Sequence, residues 1–212
     1  MEFLTMQQIS TYIKHLFAGL LLALIVGHSV SSKAQVIPLA NMHGTTSAWN
    51  TQCALLFKNS NYEACLSVAR QYWSTIKKNP AAKYIAMEEE VSFYQIASML
   101  ALKDSNGLSN ARNFLLKHKT PYFKDKLNYL LAQYHFRLDH YQLAIPLYEK
   151  AAIANLNNEE IIDLKFELAY CYFNNKNFEK ANSLFAVMKS LPGVYKDAAN
   201  YYYGLIAYNK AS

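Results

Sequence analysis

The sequence predicts an all-α protein in which antiparallel helix pairs stack as a superhelix, an α-solenoid, and three observations carry that reading. Apolar residues make up 52% of the chain, enough for a core and incompatible with disorder. Strand signals are missing: the one Asn-Gly pair, Asn106-Gly107, has helical patterns on both sides rather than alternating strands. The segment Leu131 to Tyr148 also recurs without gaps 37 residues later, as Leu168 to Phe185, and repetition at that period marks stacked helical units.

Taken in order, the chain begins with an export pattern over residues 1–34. Met1 to His15 is mostly polar, and Leu16 to Val26 is an apolar run of eleven residues, short of the roughly 20 that span a bilayer. Ser32-Lys33-Ala34 places small side chains one and three residues before a cut ahead of Gln35. An uncleaved membrane anchor is the alternative these residues leave open. The first cysteine is Cys53, which argues against a lipid-anchored N-terminus. Residues 35–46 contain Pro38 and Gly44 without helical periodicity and read as a mobile leader, with Thr45-Thr46-Ser47 able to cap the helix that follows. From residue 47 to 212 the pattern is helical. Pro80, Pro121 and Pro192 fall where helices should end, and Pro146 near the start of one.

Each copy of the repeat has Leu-Ala in one helix, a short polar turn, an aromatic, then Ala-x-x-Leu followed by Tyr or Phe. Antiparallel helices that approach closely need small residues at the crossing, so Ala132 is expected to face Ala144, and Ala169 to face Ala181. Tyr141 and Phe178 begin the second helices, and Tyr148 and Phe185, four residues after the small site, plug the groove to the next unit. This resembles the tetratricopeptide repeat, whose Trp-x-x-Leu-Gly-x-x-Tyr, Ala-x-x-x-Phe and Pro signature has the same layout, with Pro192 in the expected place. Weaker copies flank these two. Trp49, Gln52-Cys53, Leu56, Tyr62, Cys65 and Ala69 form a first unit; Phe93, Ile96-Ala97, Leu100, Ala111 and Leu115 form a second, with two extra residues in its turn. Tyr203-Gly204 and Ala207 fit the first helix of a fifth. The small sites of the first helices are thus Cys53, Ala97, Ala132, Ala169 and Gly204. The stretch from Phe166 to Asn209 further resembles the N-terminal part of exported repeat proteins of Bacteroidetes-type bacteria.

Charge and motif content exclude several classes of function. The formal charge of +6 becomes +5 once the signal's Glu2, Lys14 and Lys33 are removed, and Lys77-Lys78 and Lys117-His118-Lys119 are isolated spots that suit solvated helix ends. No basic stripe with interleaved stacking residues points to nucleic acid. His135 and Asp139 could share a helix face as metal ligands, but His135 holds the inward site taken by Tyr172 in the next unit. Glu88-Glu89-Glu90 suits a helix start favoured by the dipole better than paired catalytic acids. Without a Gly-rich phosphate loop, a nucleophile elbow or zinc-type spacing, neither an enzyme nor a cofactor is expected. Cys53 and Cys65 occupy the facing small sites of the first pair, either as small buried residues or as a disulfide permitted by export. Cys171 reads as core.

Function is then expected on the concave wall that the first helices line. In the repeat register Tyr94, Tyr129, Phe166 and Tyr201 share one site; Ser98, Gln133, Tyr170 and Leu205 the next; Phe57, Phe136, Phe173 and Tyr208 the third. Helical spacing alone leaves core and groove open for these aromatics. A non-catalytic protein-interaction module of a Gram-negative cell envelope is expected, holding a peptide or helix by apolar and aromatic contact. The Lys and Asn clamp by which some family members hold a terminal carboxylate is absent. The alternative is a glycan-binding component of an outer-membrane nutrient uptake system. Finally, Tyr201 to Tyr208 is apolar almost all round, so a continuing array or another subunit is expected over that helix.

Overall fold

Small residues decide where helices can touch, and in a computed structural model, which describes residues 48–79 and 85–211, they sit at the predicted crossings. The described residues form nine α-helices: α1 (Ala48–Lys58), α2 (Tyr62–Lys78), α3 (Ile85–Ala101), α4 (Gly107–Lys117), α5 (Pro121–Phe136), α6 (Tyr141–Lys150), α7 (Asn158–Asn174), α8 (Phe178–Met188) and α9 (Lys196–Ala211). The pairs α1/α2, α3/α4, α5/α6 and α7/α8 are antiparallel hairpins meeting at Cys53 and Cys65, Ala97 and Ala111, Ala132 and Ala144, and Ala169 and Ala181, all no more than 1% exposed. The predicted signal segment, the leader, the Thr45 to Ser47 cap and Pro80 lie outside the described residues.

Aromatic pairs flank the crossings, on both sides in α5/α6 and α7/α8 and on one side in α1/α2 and α3/α4. Phe57 meets Tyr62 at 5.5 Å, Phe136 meets Tyr141 at 6.0 Å and Phe173 meets Phe178 at 5.6 Å on the turn side. Tyr129 meets Tyr148 at 6.4 Å and Phe166 meets Phe185 at 5.9 Å on the other. Burying each such ring is worth about 1.5–3 kcal/mol. In α3/α4 the plug is Phe114, 3% exposed and 6.5 Å from Phe93, rather than the half-buried Leu115 four residues after Ala111.

Every hairpin turn contains one residue in the left-handed region: Ser60, Lys103, Asp139 and Lys176, with φ between 56° and 60°. In each case the next N–H closes a wide loop onto the helix, as in Asn61 to the Leu56 carbonyl (2.8 Å) and Asn177 to the Tyr172 carbonyl (2.9 Å). That is the helix-stop geometry glycine usually supplies. The longer second turn adds an Asp104 side chain accepting from the Asn106 N–H at 2.8 Å. Gly107 suits the close approach there, since a Cβ would lie 3.3 Å from the Leu100 backbone nitrogen.

Helix starts are similarly local. Asn157 and Glu160 form a reciprocal capping box on α7, and the Asn177 side chain accepts from the Lys180 N–H at 3.3 Å on α8. Pro121 does not end a helix but opens α5 as its first residue, where its missing N–H would be idle anyway. Pro146 is the sixth residue of α6, inside the helix rather than at its start. It deletes the rung to Gln142, and both residues are exposed, leaving that carbonyl to water.

The first helices form an inner layer, α1 on α3, α3 on α5 and α5 on α7, while each second helix packs between neighbouring units. One apolar cluster joins α1, α2 and α3 around Cys53, Cys65 and Tyr72; another joins α3, α4 and α5 around Phe93 and Leu127; a third runs from Tyr129 to Ile206 through α5 to α9. The result is an α-solenoid of tetratricopeptide-like helix pairs.

Candidate binding surface

Of the twelve wall positions, all but Ser98, Leu205 and Phe57 were expected as contact residues, and the structure divides those nine. Tyr129 and Phe166, 3% and 4% exposed, belong to the core, so of the two placements their spacing left open the groove is not the one these candidates take. Tyr195, from the loop before α9, lies flat on Phe166 at 4.2 Å, and α7 covers Tyr129. Tyr94 is half-buried against Phe57 at 5.8 Å. Phe136, Tyr170 and Phe173 are half-buried members of one aromatic ladder: Phe136 to Tyr170 (5.7 Å), Tyr170 to Tyr202 (5.3 Å), Phe173 to Tyr202 (5.0 Å). These edge-on and tilted contacts lock successive units together. Gln133 is half-buried, and of the nine only Tyr201 and Tyr208 are exposed.

Beneath the ladder runs a polar seam that sequence reasoning missed. Gln133 Nε2 donates to the Tyr129 hydroxyl at 2.8 Å, the Tyr129 hydroxyl faces Asp163 Oδ2 at 3.4 Å, and the Tyr195 hydroxyl donates to Asp163 Oδ1 at 2.9 Å. One helical turn on, Glu167 accepts from the Tyr148 hydroxyl. Burial pushes the Glu167 carboxyl up to about 7, with Asp163 adding to the rise and the hydrogen bonds from Tyr148 and Gln133 opposing it. Burial likewise raises Asp163, against its two tyrosine hydrogen bonds, and raises Tyr129 and Tyr195 well above the ordinary phenol value. The available signal was two carboxylates four apart in α7, facing tyrosines from α5, α6 and the loop ahead of α9.

The acidic run of α3 is a three-way tie. Glu88 meets Lys117 of α4 at 3.2 Å, Glu89 accepts from the Thr120 hydroxyl at 2.8 Å and lies 3.6 Å from His118 Nδ1, and Glu90 accepts from Asn50 of α1 at 2.6 Å. The same run therefore fixes α1, α4 and α5 around the start of α3. His135 and Asp139 are not brought together as ligands, because Asp139 accepts from the Tyr141 hydroxyl while His135 lies 5.9 Å from the His140 ring. Burial and His140 lower the His135 pKa. Among the described residues no three His, Cys, Asp or Glu side chains are placed to hold a metal, and no helix is long and apolar enough to cross a membrane.

Cys53 and Cys65 are free thiols in the structure, both fully buried. The Cys65 thiol points at the Cys53 carbonyl, 3.6 Å away, and at the Tyr94 carbonyl, 3.7 Å away. This differs from the disulfide expectation: Cys65 uses its hydrogen on backbone acceptors. A side-chain hydrogen bond with Cys65, together with burial, pushes the Cys53 thiol up. Cys171 is a buried core thiol.

No protein-family model and no curated protein matches the sequence. Among solved structures, a point mutant of MamA, a tetratricopeptide-repeat protein, superposes with a TM-score of 0.57 over 77% of this chain and 86% of its own, at 17% identity. The likeness is one of fold.

Proposed function

We propose that the protein is a non-catalytic interaction or scaffolding module, exported to the cell envelope, that holds a peptide or helix against its inner wall. The observation that supports this most is the construction of that wall. First helices pack directly on first helices, and their aromatics are cross-linked into a ladder beneath which a polar seam is fixed. Such a wall is preorganised, so a bound segment need not pay to order it. The side chains it offers are Tyr94, Gln133 and Tyr170, half-buried, with Tyr122 and Arg137 exposed at its edge. These suit mixed aromatic and polar contact with another chain.

A photo-crosslinking residue tests this reading. Placed at Gln133 it should capture a protein in the native envelope fraction, whereas the same residue at the exposed Leu143 of outer helix α6 should not. Capture from both positions, or from neither, would sink the groove assignment. Retention of purified polysaccharide by a Gln133-competent chain, without any protein adduct, would favour the glycan-binding alternative.

A further inference from the structure

Five helices in succession carry one spacing: aromatic, two residues, small residue, three residues, aromatic. It is Tyr129, Ala132, Phe136 in α5; Tyr141, Ala144, Tyr148 in α6; Phe166, Ala169, Phe173 in α7; Phe178, Ala181, Phe185 in α8; and Tyr201, Gly204, Tyr208 in α9. The first four stripes are matched within the molecule. Each pair lies antiparallel, small residue on small residue, with the aromatic before one crossing against the aromatic after the other, at 5.6–6.4 Å between ring centres. The four alanines are completely buried as a result.

On α9 the same stripe lies at the surface. Tyr201 is 41% and Tyr208 71% exposed, and a Cβ added to the exposed Gly204 would meet nothing within 4 Å. The opposite side of the helix is committed: Ala199, Tyr202 and Ile206 are buried, with Tyr202 stacked on Phe185 of α8 at 5.3 Å.

We propose that this face binds a second copy of the chain, two α9 helices lying antiparallel across a two-fold axis with Gly204 at the crossing. The stripe is its own antiparallel complement. Reversed about the small residue, the aromatic three before it falls against the aromatic four after it, so Tyr201 of each copy meets Tyr208 of the other, as Tyr129 meets Tyr148 inside the molecule. The stripes of α5 to α8 are all covered internally, so the matching surface stripe among the described residues is that of another α9. Its exposed positions from Asn200 to Asn209 are uncharged, so the two-fold brings no like charges together. An isologous patch of this kind closes as a dimer. Association of copies is read by sedimentation and capture at Gln133 by photo-crosslinking, so the two readings fail independently.

Sedimentation equilibrium on the full chain should show a dimer. Gly204→Arg, which puts a long charged side chain on the axis, should keep the helical circular dichroism and weaken dimerisation at least about a hundredfold. Gly204→Cys should give a covalent dimer on mild oxidation, while Val194→Cys, at a 77% exposed site away from the stripe, should not. A wild-type chain that stays monomeric at every concentration, an unaffected dimer in Gly204→Arg, or equal cross-linking from Val194→Cys would each overturn the proposal.

Discussion

Glu167→Gln is the substitution whose effect follows most directly from the polar seam. The carboxyl accepts from the Tyr148 hydroxyl and from Gln133, has Asp163 one turn away and Arg137 as its cation, and is held at about 7 against an ordinary 4.5. Because the folded protein binds this proton more tightly than the open chain, the associated stability is complete below pH 4.5. It declines as the pH rises from 4.5 towards 7 and is lost above 7. At 1.36 kcal/mol per pH unit the ionised carboxylate destabilises the fold by about 3 kcal/mol at most. Glutamine keeps the shape and the acceptor for Tyr148 without the charge, so the variant should match or exceed wild type by about 1–3 kcal/mol at pH 8 and lose that advantage by pH 5. Urea unfolding of both proteins at pH 5, 6, 7 and 8 measures the difference, in which titrating groups away from the seam cancel. A stability difference that is flat with pH, or an advantage that grows towards acid, would refute the argument, because it would mean Arg137 and the tyrosines hold the carboxylate charged.

Two further substitutions probe the helix hairpins. Lys176→Gly removes a left-handed lysine at φ 60° and should raise stability by about 0.5–1 kcal/mol in chemical denaturation, the strain relieved exceeding glycine's entropic cost; a loss would show the turn is not strained. Ala169→Leu forces three extra heavy atoms into a crossing with no exposure and should cost roughly 1–3 kcal/mol or more, read as a lower melting temperature; an unchanged melt would mean α7 and α8 do not approach there.

The hairpins were legible because small residues and flanking aromatics recur at fixed spacing, and a close crossing has few other solutions. What spacing could not tell is which aromatics face outward. Tyr129, Phe166 and Tyr201 hold one register position, yet the first two are core because α7 and Tyr195 cover them, and the third is exposed. Tyr195 comes from a loop outside the repeat, so no repeat register announces it. The seam was hidden for a related reason: Asp163 and Glu167 read as ordinary charges on a helix, while their partners come from three separate segments. The turns concealed their geometry too, since Ser60, Lys103, Asp139 and Lys176 do a job that a glycine would have signalled.

The aromatic richness of the chain, 17 tyrosines and 11 phenylalanines, therefore has two separable uses written in one spacing. Where a stripe is covered, as at Phe173 between Phe178 and Tyr202, the ring joins hairpin to hairpin, and truncating it removes packing that the fold itself needs. Where the stripe is at the surface, as at Tyr208, which is 71% exposed, truncation removes less buried packing, and under the proposed dimer its larger consequence falls on association. Phe173→Ala and Tyr208→Ala delete rings at equivalent repeat positions. The first should unfold the protein more easily at any concentration, whereas the second should act only where copies meet, so that the same chemical change separates the fold's adhesive from its docking face.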